Sequence, residues 1–214
     1  MSTRIGSNER PAATRVVRTP VQARSRATVE AILGGTARVL ASRGYAKAST
    51  NHIAEAAGVS IGSFYQYFAD KDAAVAACAE HYAHETLAFA WEHVDDGLPQ
   101  RSPIACWLDA LLARACENES LVRVLFHEVP YTWTLPGVRD AMAGALAVVE
   151  RLAGDALTAS DRRHDGAYVI LRAAVSVITD VAADPDLRPR RSAIVDELAR
   201  MIDAYLDASR GPDS

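Results

Sequence analysis

The chain has 214 residues, half of them hydrophobic, with 23 Lys and Arg against 27 Asp and Glu. That length suits a small domain followed by a larger one, and the apolar fraction supports a packed, soluble, globular protein. The three cysteines, Cys78, Cys106 and Cys116, form neither a Cys-x-x-Cys pair nor an even framework, which excludes a disulfide scaffold and fits a reducing cytoplasm.

The net charge of −4 is unevenly spread. Residues 1–71 carry +6 and the remainder −10, so a basic front faces away from an acidic rear. Such a dipole steers the front toward phosphates and discourages non-specific adhesion by the rear.

Residues 1–24 are polar, interrupted by Pro11 and Pro20 and scattered with arginines, and they read as a disordered basic arm. Either a plain flexible tail or an arm reaching a minor groove fits that composition. A first helix is expected to begin near Ser25 or Thr28, with Val29, Ile32, Leu33, Thr36 and Leu40 on one face. Gly34-Gly35 inside it are costly, at roughly 1 kcal/mol each against alanine.

The stretch from Thr50 to Lys71 organises the chain. It reads as two short helices joined by a turn at Gly58, with Thr50 expected to cap the first and Ser60 the second. Phe64 and Phe68, four apart, turn inward and leave Ser63, Tyr65, Gln66 and Tyr67 over the outer surface. This is a helix-turn-helix whose second helix presents hydrogen-bonding side chains, with a small first turn at Gly62 that admits a close approach to a groove wall. Gly58-Val59-Ser60-Ile61-Gly62 also satisfies G-x-S-x-G, but a nucleophile elbow needs a strand before the serine, and here a helix precedes it. Ser60 is therefore read as a cap.

Thr50, Ile53-Ala54, Ala57-Gly58-Val59-Ser60, Gly62, Tyr65, Tyr67-Phe68 and Lys71 together resemble the tetracycline-repressor-like (TetR) family of bacterial transcription regulators. The likeness extends back through Thr28 to Gly44-Tyr45 and forward into the fourth helix, about a quarter of the chain, with Gly34-Gly35 and the small Ala74 as departures. It implies an all-α fold: a helix-turn-helix DNA-binding domain at 25–71, then a helical ligand-binding and dimerisation domain at 72–214. Ser63, Tyr65, Gln66 and Asn51 are expected to meet the major groove of double-stranded operator DNA, and Thr50, Tyr65, Tyr67 and Lys71 its phosphates.

A long fourth helix is expected from Asp70 to about Asp95, capped by Asp70. His81 and His84 have a spacing that could hold a metal with Glu80 and Glu85, but no second ligand cluster accompanies them, and a solvated face is the preferred reading. No cofactor is expected. Gly97 and Pro99 end that helix, and Ser102-Pro103 opens the next, with Ile104, Trp107, Leu108, Leu111 and Leu112 on its apolar face. A helix from about Ser120 to His127 leads into an aromatic connector, Tyr131 to Thr134, and another helix spans roughly Val138 to Leu157.

The last two helices, about 161–183 and 190–208, flank the breaker from Asp184 to Pro189. Their apolar stripes include Ile170, Ala174, Ile178 and Val181 on one and Ile194, Leu198, Ile202 and Tyr205 on the other. The resemblance implies that these residues pair with a second copy as a four-helix bundle, which would hold two readers one DNA turn apart. It also implies a small-molecule pocket, for which Tyr82, Trp107, Leu111, Phe126, His127, Tyr131, Trp133, Met142 and Tyr168 form the expected lining, an apolar and aromatic set suited to a hydrophobic effector. No run of 18 apolar residues appears, so no membrane span is expected and a cytoplasmic, nucleoid-associated regulator is.

Two other functional classes make their own demands on the sequence. A di-iron helical-bundle enzyme needs paired Glu-x-x-His motifs, and the chain has none. A redox sensor needs an exposed thiol of low pKa among the three cysteines.

Overall fold

A computed structural model describes residues 23–93, 101–157 and 163–209. Residues 1–22 of the expected arm, the end of the fourth helix beyond His93, its Gly97-Pro99 stop and the expected start of the penultimate helix at Asp161 lie outside the described residues, while Ala23 and Arg24, expected in the arm, are the first residues of the first helix. Among the described residues the regular elements are all helical. They are α1 (Ala23–Lys47), α2 (Thr50–Ala57), α3 (Ile61–Tyr67), α4 (Lys71–Glu92), α5 (Pro103–Glu117), α6 (Glu119–Arg123), α7 (Pro136–Ala153), α8 (Arg163–Ala183) and α9 (Arg191–Ser209).

Local chemistry sets most boundaries. Ser60 accepts a hydrogen bond from the Ser63 amide at the start of α3, Asp70 one from Ala73 at the start of α4, and Ser102 one from Ala105 at the start of α5. Gly58, at φ 68°, closes α2 in the left-handed conformation that only glycine adopts cheaply. The cap of α2 differs from expectation: Ser49 holds the extended cap conformation and accepts from the His52 amide, while Thr50 is the first helical residue. Two adjacent hydroxyl residues satisfy the same sequence rule, and the backbone turn selected the earlier one.

The helix expected at Ser120–His127 divides into α6 and a π-helical turn, Val124–Glu128, followed by a short 3-10 turn, Thr132–Thr134. π-turns of this kind cluster at functional sites. Gly35 lets α1 and α2 touch, since a Cβ there would lie 2.8 Å from the Ala57 backbone nitrogen. The helix-weakening glycine pair of α1 thus contains one member that packing requires.

One continuous core runs from the front helices into the rear bundle. Ile32, Leu40, Ile53, Phe64 and Phe68 fill the front, and Val75, Trp107, Leu108, Leu125 and Leu171 the rear. The segment His164–Ala183 has the length and composition of a membrane-crossing helix, but its Ile170, Leu171, Ala174, Ile178 and Val181 are buried against α5, α6, α7 and α9. A central core helix meets the same test of length and apolarity.

Candidate DNA-reading surface and effector cavity

The front of the molecule presents α3 outward. Phe64 and Phe68 anchor it, with ring centroids 5.8 Å apart and no exposure of Phe64. Tyr65, 48% exposed, and Gln66 face solvent together with Ser60, Gly62 and Asn51, while Ser63, Tyr67, Thr50 and Lys71 are half-buried. A Cβ at Gly62 would meet nothing closer than 3.8 Å within the chain, so any need for glycine there lies outside it.

The polar side chains are partly committed to one another. The Thr50 hydroxyl and Tyr65 phenol lie 3.2 Å apart, tying α2 to α3, and Ser60 Oγ donates to Ser63 Oγ at 3.0 Å. Lys71 Nζ donates to the Tyr45 carbonyl at 3.2 Å and stands 4.2 Å from that ring's centroid, and the Tyr67 hydroxyl reaches Ser25 Oγ at 3.4 Å. Two of the expected phosphate holders therefore lean on α1, leaving Tyr65 and Gln66 as the freer long side chains of the reader.

One residue of this surface escaped the sequence reading. Ile61 is 40% exposed in the first turn of α3, four residues before Tyr65 and on the same helical face. That spacing was a readable signal, and an exposed aliphatic chain on a reader helix is chemically suited to a thymine methyl.

The rear half encloses a cavity of about 90 Å³ among α4, α5, α7, α8 and the 124–134 segment. Six of the expected residues line it: Tyr82, Trp107, Leu111, Phe126, Trp133 and Met142. Phe126 links Tyr82 and Trp133, with ring centroids 6.4 and 4.9 Å away. Val122, Val138, Leu171 and Val175 add aliphatic wall, and Thr86 and Thr179 are polar members that the aromatic bias of the sequence reading passed over. His127, Tyr131 and Tyr168 stand away from the lining: His127 faces Asp180 at 3.8 Å, Tyr131 packs edge-on against Tyr45, and Tyr168 is 53% exposed on α8.

The same segment that walls the cavity grips the front. Glu128, two residues after Phe126, accepts a hydrogen bond from the Tyr45 amide at 2.9 Å and pairs with Arg123. Gly44, at φ 74°, brings α1 so near that a Cβ would lie 2.9 Å from the Glu128 carboxylate. The Tyr45 hydroxyl in turn donates to Asp72 of α4 at 2.9 Å. Burial, and then this bond to Asp72, raise the Tyr45 pKa, and burial raises that of Tyr131, so both phenols stay neutral at ordinary pH.

The residues expected at a subunit interface occupy the interior of one chain. Ile170, Ala174, Ile178, Val181, Leu198 and Ile202 are buried, Ile194 is half-buried, and Tyr205 alone of the set is exposed. Periodicity identified an apolar stripe, and the stripe is spent on intrachain packing. The apolar side chains that α8 and α9 leave outside are Tyr168, Val169, Met201 and Tyr205, with Val169 and Met201 each 64% exposed.

The alternatives meet concrete geometry. Glu80 accepts from the Gly137 amide at 2.8 Å and His81 faces Glu85 at 3.2 Å, so the acidic and histidine side chains of that face are divided between two tasks. No group of three or more metal-ligating side chains occurs among the described residues. Burial pushes the Cys78 thiol up to about 12, far from a reactive thiolate, and Cys106 is also buried.

Residues 32–78 match the model of the family described as bacterial regulatory proteins, tetR family. No curated protein matches the chain. Among solved structures, the fatty acid degradation regulator FadR from Bacillus halodurans is 16% identical, with a TM-score of 0.68 over 82% of this chain and 94% of that one. A TetR-family transcriptional regulator from Pectobacterium atrosepticum is 20% identical, with a TM-score of 0.68 over 87% and 97% of the two chains. The TetR-family repressor AlkX from a Dietzia species, implicated in biodegradation of n-alkanes, is 17% identical, with a TM-score of 0.56 over 84% and 97%. At these identities the structural likeness shows the fold.

Proposed function

The chain belongs to the TetR family of bacterial transcription regulators, and from that premise we propose that it is a repressor that binds a palindromic operator as a homodimer and is released by a small apolar effector. DNA reading falls to a front domain of residues 25–71, and effector binding and dimerisation to a rear domain of residues 72–214. The observation that carries the reading is the 124–134 segment: Phe126 and Trp133 wall the cavity while Glu128 holds the end of α1. An effector that moves this segment changes how the front domain sits, and it shifts the equilibrium by the difference in its affinity for the two arrangements.

In this reading Gln66, Tyr65, Ser63 and Asn51 meet base edges, with Ile61 against a thymine methyl, and Thr50, Tyr67 and Lys71 serve phosphates. The exposed Tyr168, Val169, Met201 and Tyr205 supply the apolar face between subunits, since the buried stripe beneath them is occupied. The apolar cavity, and the tie of two like-folded proteins to fatty acid degradation and n-alkanes, support a hydrophobic effector.

The test is a salt titration of binding between the protein and the intergenic DNA beside its own gene, with a scrambled duplex of equal length. Preference for the native duplex with a steep salt slope is the expected result, and Gln66→Ala is expected to cost about 1–3 kcal/mol on the native duplex only. Equal loss on both duplexes would remove Gln66 from base reading. Absence of any preference, repeated in a genome-wide selection, would overturn sequence-specific binding.

A further inference from the structure

The cavity has a chemical asymmetry that narrows its ligand further. Its lining holds no Lys, Arg, His, Asp or Glu, so a carboxylate or phosphate placed there would lose hydration with no charged side chain of the lining to replace it; Arg172, 5.1 Å from the Trp133 ring, and Arg114, which acts on Tyr82, are not part of that lining. Yet the wall is not wholly apolar. Trp107, only 1% exposed, contributes to the lining, and its indole Nε1, a donor with no acceptor function, has no hydrogen-bond partner among the described residues. Thr86, on the neighbouring helix α4, also lines the cavity, and its hydroxyl is engaged with the Tyr82 phenol. The third polar member, Thr179, is likewise satisfied: its hydroxyl donates to the Val175 carbonyl at 2.8 Å.

A buried donor left without an acceptor is costly, and a native fold retains one where something else completes it. We propose that the effector is an uncharged, mainly hydrocarbon molecule carrying one hydrogen-bond-accepting oxygen, a ketone, ester, ether or alcohol, and that Trp107 Nε1–H donates to that oxygen. Free carboxylic acids in their ionised form, and ligands whose charged group must enter the cavity, are excluded by the same lining. The size agrees with a small body: about 90 Å³ is less than the ~150 Å³ that holds a benzene in an engineered apolar cavity, so anything larger has to widen the walls, including the 124–134 segment. The inference rests on the cavity being the effector site.

The experiment uses the full chain and three probes of one size: ethylbenzene, acetophenone and benzoate. Binding is measured by calorimetry, and the indole N–H protons are followed by NMR. Acetophenone is expected to bind at least about a hundredfold more tightly than benzoate and to move the Trp107 indole proton downfield, which ethylbenzene does not. Trp107→Phe, which keeps an aromatic wall, is expected to weaken acetophenone about tenfold relative to ethylbenzene. Benzoate as the tightest probe, an equal effect of Trp107→Phe on both neutral probes, or an indole proton indifferent to acetophenone would each overturn the proposal. The comparison of neutral and anionic probes on the unaltered protein stands even if the variant does not fold. Binding of none of the three overturns both this ligand class and the cavity as a site. Binding in the expected pattern without any change in operator affinity upholds the ligand class and overturns the effector role.

Discussion

The reader end and the cavity end of this chain are built on opposite principles. At the reader, short-range chemistry closes every joint: Ser49, Ser60 and Asp70 cap their helices, Gly58 turns the chain, and Phe64 and Phe68 are fully enclosed. In the rear, four long helices and an irregular segment meet around space they do not fill, and Trp107 Nε1 on its wall lacks a partner, as His52 Nδ1 does within α2. A surface that must match a groove benefits from rigid presentation, whereas a sensor needs an incomplete core that a ligand can finish.

The sharpest way to break this comparison is to open the filled end. Phe64→Ala is expected to cost about 3–5 kcal/mol in urea unfolding, because a wholly buried ring leaves a void against Phe68. A loss under about 1 kcal/mol would mean that the front core is as loose as the rear. The two glycines of α1 give the next effect. Gly35→Ala drives a methyl into the Ala57 backbone and is expected to destabilise by about 1–3 kcal/mol. Gly34→Ala, where a Cβ meets only the end of the Arg38 side chain at 3.3 Å, which donates to the Ala56 carbonyl, is expected to change stability by no more than about 1 kcal/mol in either direction. Equal responses at the two positions would contradict the close α1–α2 approach.

The smallest change in stability is expected where the cavity is filled. Ala141→Val on α7 adds two carbons to the lining, and its thermal unfolding should stay within about 1 kcal/mol of the parent while affinity for small apolar probes is lost. Destabilisation as large as that of Phe64→Ala would show that the space is not open to occupancy.

The reader helix was legible in the sequence because its signals are local. A cap, a glycine and two aromatics four apart act within a dozen residues, so Ser60, Gly58, Phe64 and Phe68 fall where the pattern put them. The misplacement of the α2 cap by one residue, Ser49 for Thr50, marks the limit of that legibility, since adjacent hydroxyls compete and only backbone geometry decides. For the cavity, apolar and aromatic character selected the residues. It picked out Tyr82, Trp107, Leu111, Phe126, Trp133 and Met142 and also His127, Tyr131 and Tyr168, which stand elsewhere, because side-chain type does not say which of several inward faces a helix turns to one shared space.

By itself the sequence determined an all-helical chain with a basic helix-turn-helix at its front and the positions at which α3 to α5 begin, since these follow from backbone hydrogen bonding and charge within a few residues. Tertiary structure decided the rest. It decided that the stripe of Ile170, Ala174, Ile178 and Val181 packs inside its own chain, that Gly35 is a contact rather than a weakness, and that Trp107 stands unpartnered beside a cavity. A helical period reveals which residues turn away from water, and only the packed neighbours determine what those residues meet.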